Sequence, residues 1–102
     1  MAACVVFTPE AQQQLLDLYR YIAQQGAPLT AQRYTDAVVS TCESLALFPM
    51  RGVARDDIRP GVRLTHHKKR TVIAFAVNDS TVSILGIFYG GQDVQDALSD
   101  DE

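Results

Sequence analysis

The sequence predicts an α+β fold in which a helical hairpin packs on one face of a mostly antiparallel sheet, in the order β-α-α-β-β-β. Apolar residues recur at helical spacing in the first half of the chain. The second half holds short apolar runs separated by turn residues. A length of 102 residues suits one domain, which we expect to span 1–98, with 99–102 as a frayed acidic tail.

The first strand and first helix follow from a short apolar run and a strong helix-start signal. Residues 4–7 are apolar and partly β-branched, which predicts a strand. Thr8 is suited to cap free amides and Pro9 suits the first helical position, so we expect a helix from there to about Gln25. Its apolar stripe comprises Ala11, Leu15, Leu18, Tyr19 and Ile22.

A second helix is predicted after a break at Gly26 and Pro28. Thr30 is the next candidate cap, and Pro49 sets the end of the helix. The predicted apolar stripe comprises Tyr34, Val38, Thr41, Leu45 and Phe48. Because the connection is short, the two helices should form an antiparallel hairpin.

The rest of the chain predicts a loop, three antiparallel strands and a short final helix. Glycines and prolines mark the loop at 49–61, and the period then changes from helical to strand-like. The predicted elements are a strand over 62–67, a strand over 71–77, a turn at 78–80, a strand over 82–89 and a helix that Asp93 caps, through Val94 and Leu98.

Charge is segregated along the chain although the net charge is only −3. Residues 51–75 hold seven basic and two acidic residues, net +5, and residues 76–102 hold six acidic and no basic residues. The acidic average argues against a surface that binds nucleic acid as a whole. No apolar run reaches the ~20 residues of a membrane helix, and without a secretion signal we expect a cytoplasmic protein.

The two cysteines and the acidic residues predict neither a metal site nor a cofactor. Cys4 and Cys42 lack the spacing of metal ligands, and we expect both to be reduced and buried. Asp56 and Asp57 are adjacent carboxylates without a third ligand nearby, which is a weak metal signal.

Three stretches together resemble the ParE branch of the RelE/ParE toxin superfamily. They are Phe7-Thr8-Pro9-Glu10-Ala11 leading into Tyr21-Ile22-Ala23, Phe48-Pro49-x-x-Gly52 followed by residues 55–63, and Ile84 to Asp93. The resemblance implies the toxin half of a toxin–antitoxin pair, also called a plasmid-stabilisation protein. Such a toxin inhibits DNA gyrase by binding, and a cognate ParD-like antitoxin silences it. The RelE branch implies an alternative function, which is ribosome-dependent cleavage of messenger RNA. A third hypothesis is a relative that binds its antitoxin but is not toxic.

The basic block is the candidate contact surface for an anionic partner. The candidate partner-binding residues are Arg55, Arg59, Arg63, Lys68, Lys69, Arg70 and Tyr89. The alternative is that the basic block is a solvated surface whose arginines pair with nearby acidic residues. Off-stripe Leu16, Tyr21 and Leu47 suit a groove for an antitoxin tail or a second subunit, in a homodimer or a toxin–antitoxin hetero-oligomer.

A ribonuclease would need a base, a phosphate-binding cation and an acid, for which Arg63, His67 and Tyr89 are the candidates. Strand alternation places His66 with Val62 on the inward face and His67 with Arg63 outward. The acidic net charge and the absence of basic residues after Tyr89 favour inhibition by binding over catalysis, so we expect no catalytic residues.

Overall fold

The structure, a computed structural model, describes residues 4–90 and confirms the predicted fold class. Its elements are β1 (Cys4–Phe7), α1 (Pro9–Gln24), α2 (Pro28–Ser44), β2 (Val53–Ala54), β3 (Val62–His67), β4 (Thr71–Asn78) and β5 (Thr81–Tyr89). The sheet order is β1-β5-β4-β3-β2. β1 runs parallel to β5, and the other neighbours are antiparallel. Two-residue β2 lies inside the segment predicted as a loop.

Thr8 joins the start of α1 to the sheet, and its predicted role as helix cap is confirmed. Its Oγ1 accepts a hydrogen bond from the Ala11 amide at 3.1 Å and donates one to the Ile84 carbonyl at 3.0 Å. Ala11 and Leu18 are buried on the face that packs against the core. One side chain therefore sets both the first turn of α1 and its position over β5.

The predicted boundaries of α2 are wrong at both ends. The helix begins at Pro28 rather than after Thr30, since proline fits the first helical position, where its missing N–H costs nothing. It ends at Ser44 because the next amides bond three residues back, with Leu45 donating to Cys42 and Ala46 to Glu43. Phe48 consequently leaves the predicted stripe and is 55% exposed.

Both faces of the sheet carry apolar cores. The larger core lies beneath the helices and includes Phe75, Leu45 and Val38. On the opposite face a smaller core is centred on Val62 and covered by Ile58, and its members are Ile58, Val62, Ala74 and Phe88. An apolar residue in β3 can therefore face away from the helices, as Val62 does. The orientation of His66 and His67 follows from this.

The cysteines differ in environment, contrary to the expectation that both are buried. Cys42 is buried in α2, while Cys4 is exposed in β1. Burial, with the nearby charge of Glu43, raises the pKa of the Cys42 thiol to about 12, so this thiol stays protonated.

Some sequence predictions fall outside residues 4–90, namely the helix begun at Asp93 and the tail 99–102. Among the described residues, no helix combines the length and hydrophobicity needed to cross a membrane. The same part of the chain contains no cluster of side chains suited to hold a metal ion.

Candidate partner-binding surface

The basic block divides between the two ends of β3. Residues 49–63, which we call the loop end, contain Arg51, Arg55, Arg59 and Arg63. Residues 67–71, which we call the turn end, contain Lys68, Lys69 and Arg70. The six residues of β3 span about 20 Å between these ends. Residues that form one cluster in the sequence thus lie at two separate places.

At the loop end, the guanidinium of Arg63 is bound to backbone. Its Nη2 donates to the carbonyls of Met50 at 2.6 Å and Gly52 at 3.2 Å, and its Nε donates to that of Arg51 at 3.2 Å. These bonds hold the loop against β3 at the point where Gly52 adopts φ +84. Arg63 therefore acts first as a clamp for the loop.

Arg55 is also engaged within the chain. Its Nε and Nη2 each donate to one oxygen of the Asp57 carboxylate at 2.9 Å. The hydrogen bond from Arg55 lowers the pKa of Asp57, which is exposed to solvent, while Arg55 is half-buried. Asp56 accepts a hydrogen bond from the Gly61 amide at 2.8 Å. The two carboxylates thus shape the loop, and the Arg59 side chain is exposed, with no hydrogen bond or ion pair to another residue among residues 4–90.

At the turn end, Lys68, Lys69 and Arg70 project into solvent. All three are exposed, and none forms a side-chain hydrogen bond or ion pair with another described residue. Lys68 adopts φ +59, which turns the chain sharply between β3 and β4. The Arg70 carbonyl accepts from the Gly90 amide at 2.9 Å, so the turn lies beside the end of β5.

An aromatic cluster lies directly under the turn end. Strand register places His67, Thr71 and Tyr89 side by side on three adjacent strands. Tyr34 of α2 covers this row, with its hydroxyl 2.5 Å from Thr71 Oγ1 and its ring edge-on to His67 and Tyr89 at 5.3 and 5.9 Å between centroids. Tyr89 also contacts Tyr21 of α1 at 5.8 Å, so the cluster links the helices to the sheet end.

The predicted outward orientation of His67 is wrong, as is the inward one of His66. His67 faces α2, with Nδ1 2.8 Å from Thr41 Oγ1, and its buried Nε2 has no hydrogen-bond partner among the described residues. His66 is exposed. The grouping of alternate residues holds, but the helices cover the face of His67. Burial, aided by the charge of Lys68, lowers the pKa of His67 and favours the neutral imidazole.

The three residues considered for RNA cleavage do not converge. His67 and Tyr89 share the aromatic cluster, whereas Arg63 is four residues away along β3, about 13 Å. The Arg63 guanidinium bonds the loop backbone, and the His67 Nε2 is shielded from solvent. This arrangement offers no site where an RNA phosphate meets both a cation and an accessible base from this set.

A concave pocket of about 420 Å³ adjoins the turn end, between α1 and the end of β5. It is lined by Gln14, Asp17, Leu18, Tyr21, Arg70, Ile87, Tyr89 and Gly90. Of the off-stripe residues, Tyr21 lines this pocket, while Leu16 and Leu47 lie elsewhere, 42% and 68% exposed. The off-stripe position of Tyr21 was the one sequence signal for this pocket. The contributions of Gln14 and Asp17 had no such signal.

Comparison with known proteins gives a family match and two similar solved structures. Residues 5–94 match the model of a family described as the ParE toxin of the type II toxin–antitoxin system parDE. A chain from the chromosomal ParDE system of P. aeruginosa is 21% identical, with a TM-score of 0.76 over 87% of this chain and 97% of that one. A chain of the RelBE2 toxin–antitoxin complex from Mycobacterium tuberculosis is also 21% identical, with a TM-score of 0.64 over 87% and 99%. No curated protein matches.

Proposed function

This chain belongs to the ParE toxin family of type II toxin–antitoxin systems, and on that premise we propose that it is a toxin that inhibits DNA gyrase by binding. A cognate ParD-like antitoxin neutralises it. The antitoxin partner is supported by the solved relatives, which come from a ParDE system and a RelBE2 complex.

The observation that best supports inhibition by binding is the exposed positive charge of the turn end. Lys68, Lys69 and Arg70 are exposed, and their side chains form no hydrogen bond or ion pair with another residue among residues 4–90. Three adjacent cations steer an anionic surface toward this end of the sheet and fix its register. Arg59 offers a further contact at the loop end. Arg55 and Arg63 are also positively charged, but their guanidinium groups donate hydrogen bonds within the chain.

The ribonuclease alternative has less support because its candidate base is covered. His67 is held by Thr41 beneath Tyr34, so a ribose 2′-hydroxyl cannot approach its Nε2 without moving α2. General base catalysis needs that nitrogen within hydrogen-bond reach of the proton it removes. Inhibition by binding does not require the imidazole of His67 to be accessible.

Two assays on the purified full chain separate these functions. We expect loss of DNA supercoiling by gyrase as the protein is added, and intact messenger RNA on translating ribosomes at the same concentrations. RNA cleavage with unaffected supercoiling would contradict the proposal. If cleavage occurs, His67→Asn tests whether the buried imidazole takes part, because the amide can keep the bond to Thr41 but cannot accept a proton.

The antitoxin is tested by co-expression with the neighbouring open reading frame. We expect brief expression of the chain alone to stop growth and co-expression to restore it, with the two products purifying together. Normal growth on expression of a folded chain, together with retained antitoxin binding, would instead identify the non-toxic relative.

A further inference from the structure

We propose that the pocket beside the turn end receives an apolar side chain from an acidic segment of a partner protein. The inference rests on the proposed function only in taking that partner to be the toxin's target. It assigns the pocket as the anchor site and Lys68, Lys69 and Arg70 as the groups that bind the surrounding carboxylates.

The walls of the pocket suit an aromatic or long aliphatic anchor. Leu18 and Ile87 contribute buried apolar surface, and Tyr21 and Tyr89 also line the pocket, with ring centroids 5.8 Å apart and planes tilted by 56°. Tyr21 is 53% exposed, whereas Ala11 and Leu18 of the same helix are buried. An exposed aromatic at the mouth of a concave apolar site is typical of the residues that dominate binding energy at interfaces.

The charge around the pocket selects an acidic segment. Arg70 lines the pocket, and Lys68 and Lys69 precede it in the same turn, all exposed. Among the described residues that line the pocket, Asp17 is the one carboxylate, and its Oδ1 accepts a hydrogen bond from Gln13 Nε2 at 2.9 Å. Asp17 lies on the α1 side, so it repels ligand carboxylates there and orients them toward the turn.

The backbone of the pocket is held in place before any ligand arrives. Gln14 Oε1 accepts from the Ile87 amide at 2.8 Å, which ties α1 to β5 across the pocket floor. The Gly90 amide bonds the Arg70 carbonyl, which fixes the opposite rim. A preformed site of this kind loses little conformational entropy on binding.

A tryptophan-containing peptide provides a direct test, because the chain itself has no tryptophan. The probe is a short peptide with one tryptophan flanked by several aspartates and glutamates, titrated with the full chain. We expect a blue shift of its emission on binding, and an affinity that weakens as salt is added. A second peptide with asparagine and glutamine in place of the acids should bind about tenfold more weakly or worse.

Variants on one helix decide whether the pocket is the site. Tyr21→Ala should weaken peptide binding about tenfold, while Tyr19→Ala, which removes an exposed aromatic of α1 outside the pocket, should change it less than about twofold. Absence of binding by the wild-type chain, or equal effects of the two variants, would overturn the inference.

A third variant distinguishes a partner segment from the chain's own acidic residues. In it Asp93, Asp96, Asp100, Asp101 and Glu102 are changed to their amides. Peptide binding that is seen only in this variant would assign the pocket to the chain's own C-terminal residues and overturn the proposal. Gyrase is absent from the peptide assay, so peptide binding without inhibition of supercoiling would reject the proposed target and leave the site standing.

Discussion

The loop end and the turn end of β3 use basic residues in opposite ways. At the loop end, Arg63 bonds three backbone carbonyls and Arg55 pairs with Asp57. At the turn end, the side chains of Lys68 and Lys69 form no hydrogen bond or ion pair with another described residue. The planar guanidinium can serve several acceptors at once, whereas lysine presents a compact charge to solvent. We infer that the loop end mainly contributes stability and the turn end recognition.

The largest expected effect on stability is at Gly52. A Cβ there would lie 2.2 Å from the Leu64 carbonyl oxygen, and φ is +84, so Gly52→Ala should cost about 3 kcal/mol or more. Gly61 is the matched control, since it has the same φ but open space around a Cβ, and Gly61→Ala should cost about 1–2 kcal/mol. Urea unfolding measures both; equal losses would show that the close approach of the loop to β3 is not required.

Loss of the Arg63 side chain should have the next largest effect on stability. Arg63→Ala deletes three hydrogen bonds to the loop backbone, and a loss of about 1–2 kcal/mol in the free energy of unfolding is expected for this half-buried group. Arg59→Ala, at an exposed position of the same loop, should stay within about 0.5 kcal/mol of the wild type. A similar small change for both would mean that Arg63 does not hold the loop.

A smaller effect is expected from pH at the turn end. Because the folded-state pKa of His67 lies below the ordinary 6.5, the unfolded chain takes up this proton first as pH falls. The contribution of His67 to stability is therefore complete above about pH 6.5 and is lost as the pH drops from there through the folded-state pKa. Unfolding measured from pH 8 to 5 should show a steeper decline in the wild type than in His67→Asn.

His66→Gln is the control for that experiment, because it removes an exposed imidazole from the neighbouring position. Identical pH profiles for the wild type and His67→Asn would contradict the buried, neutral state of His67.

The smallest expected effect on stability comes from the exposed lysines. Lys68→Glu with Lys69→Glu should change the free energy of unfolding by no more than about 0.5 kcal/mol, since neither side chain has a bonded partner among residues 4–90. A large loss on thermal unfolding would show that the turn end is structural as well, and would remove the contrast between the two ends.

Much of the fold follows from local sequence signals, and the errors have identifiable causes. Thr8 and Pro9 define the start of α1, and the turn at 78–80 agrees with a β4–β5 connection in which Asp79 has φ +56. Thr30 is a suitable residue type for a helix cap, but the helix begins two residues earlier because Pro28 fits the first helical turn. The strand β2 has two residues and depends on pairing with β3, so no local pattern predicts it.

The site was less predictable because its features arise from tertiary contacts. His66 and His67 were assigned to the wrong faces because apolar Val62 belongs to a second core opposite the helices. The division of the basic block depends on Arg63 reaching carbonyls 11 to 13 residues earlier, which no spacing rule encodes. The segregation of charge along the sequence is nevertheless what indicated the turn end as a candidate surface.

A matched pair of charge variants shows whether the turn end binds gyrase. Lys68→Glu/Lys69→Glu and Arg20→Glu/Arg33→Glu change the net charge equally, but the second pair lies at exposed positions of α1 and α2 rather than in the turn. We predict that the lysine variant, while as stable as the wild type, needs at least about tenfold more protein for half-maximal inhibition of supercoiling, and that the helix variant stays within about threefold. Equal inhibition by both variants and the wild type would show that Lys68 and Lys69 do not contribute to gyrase binding.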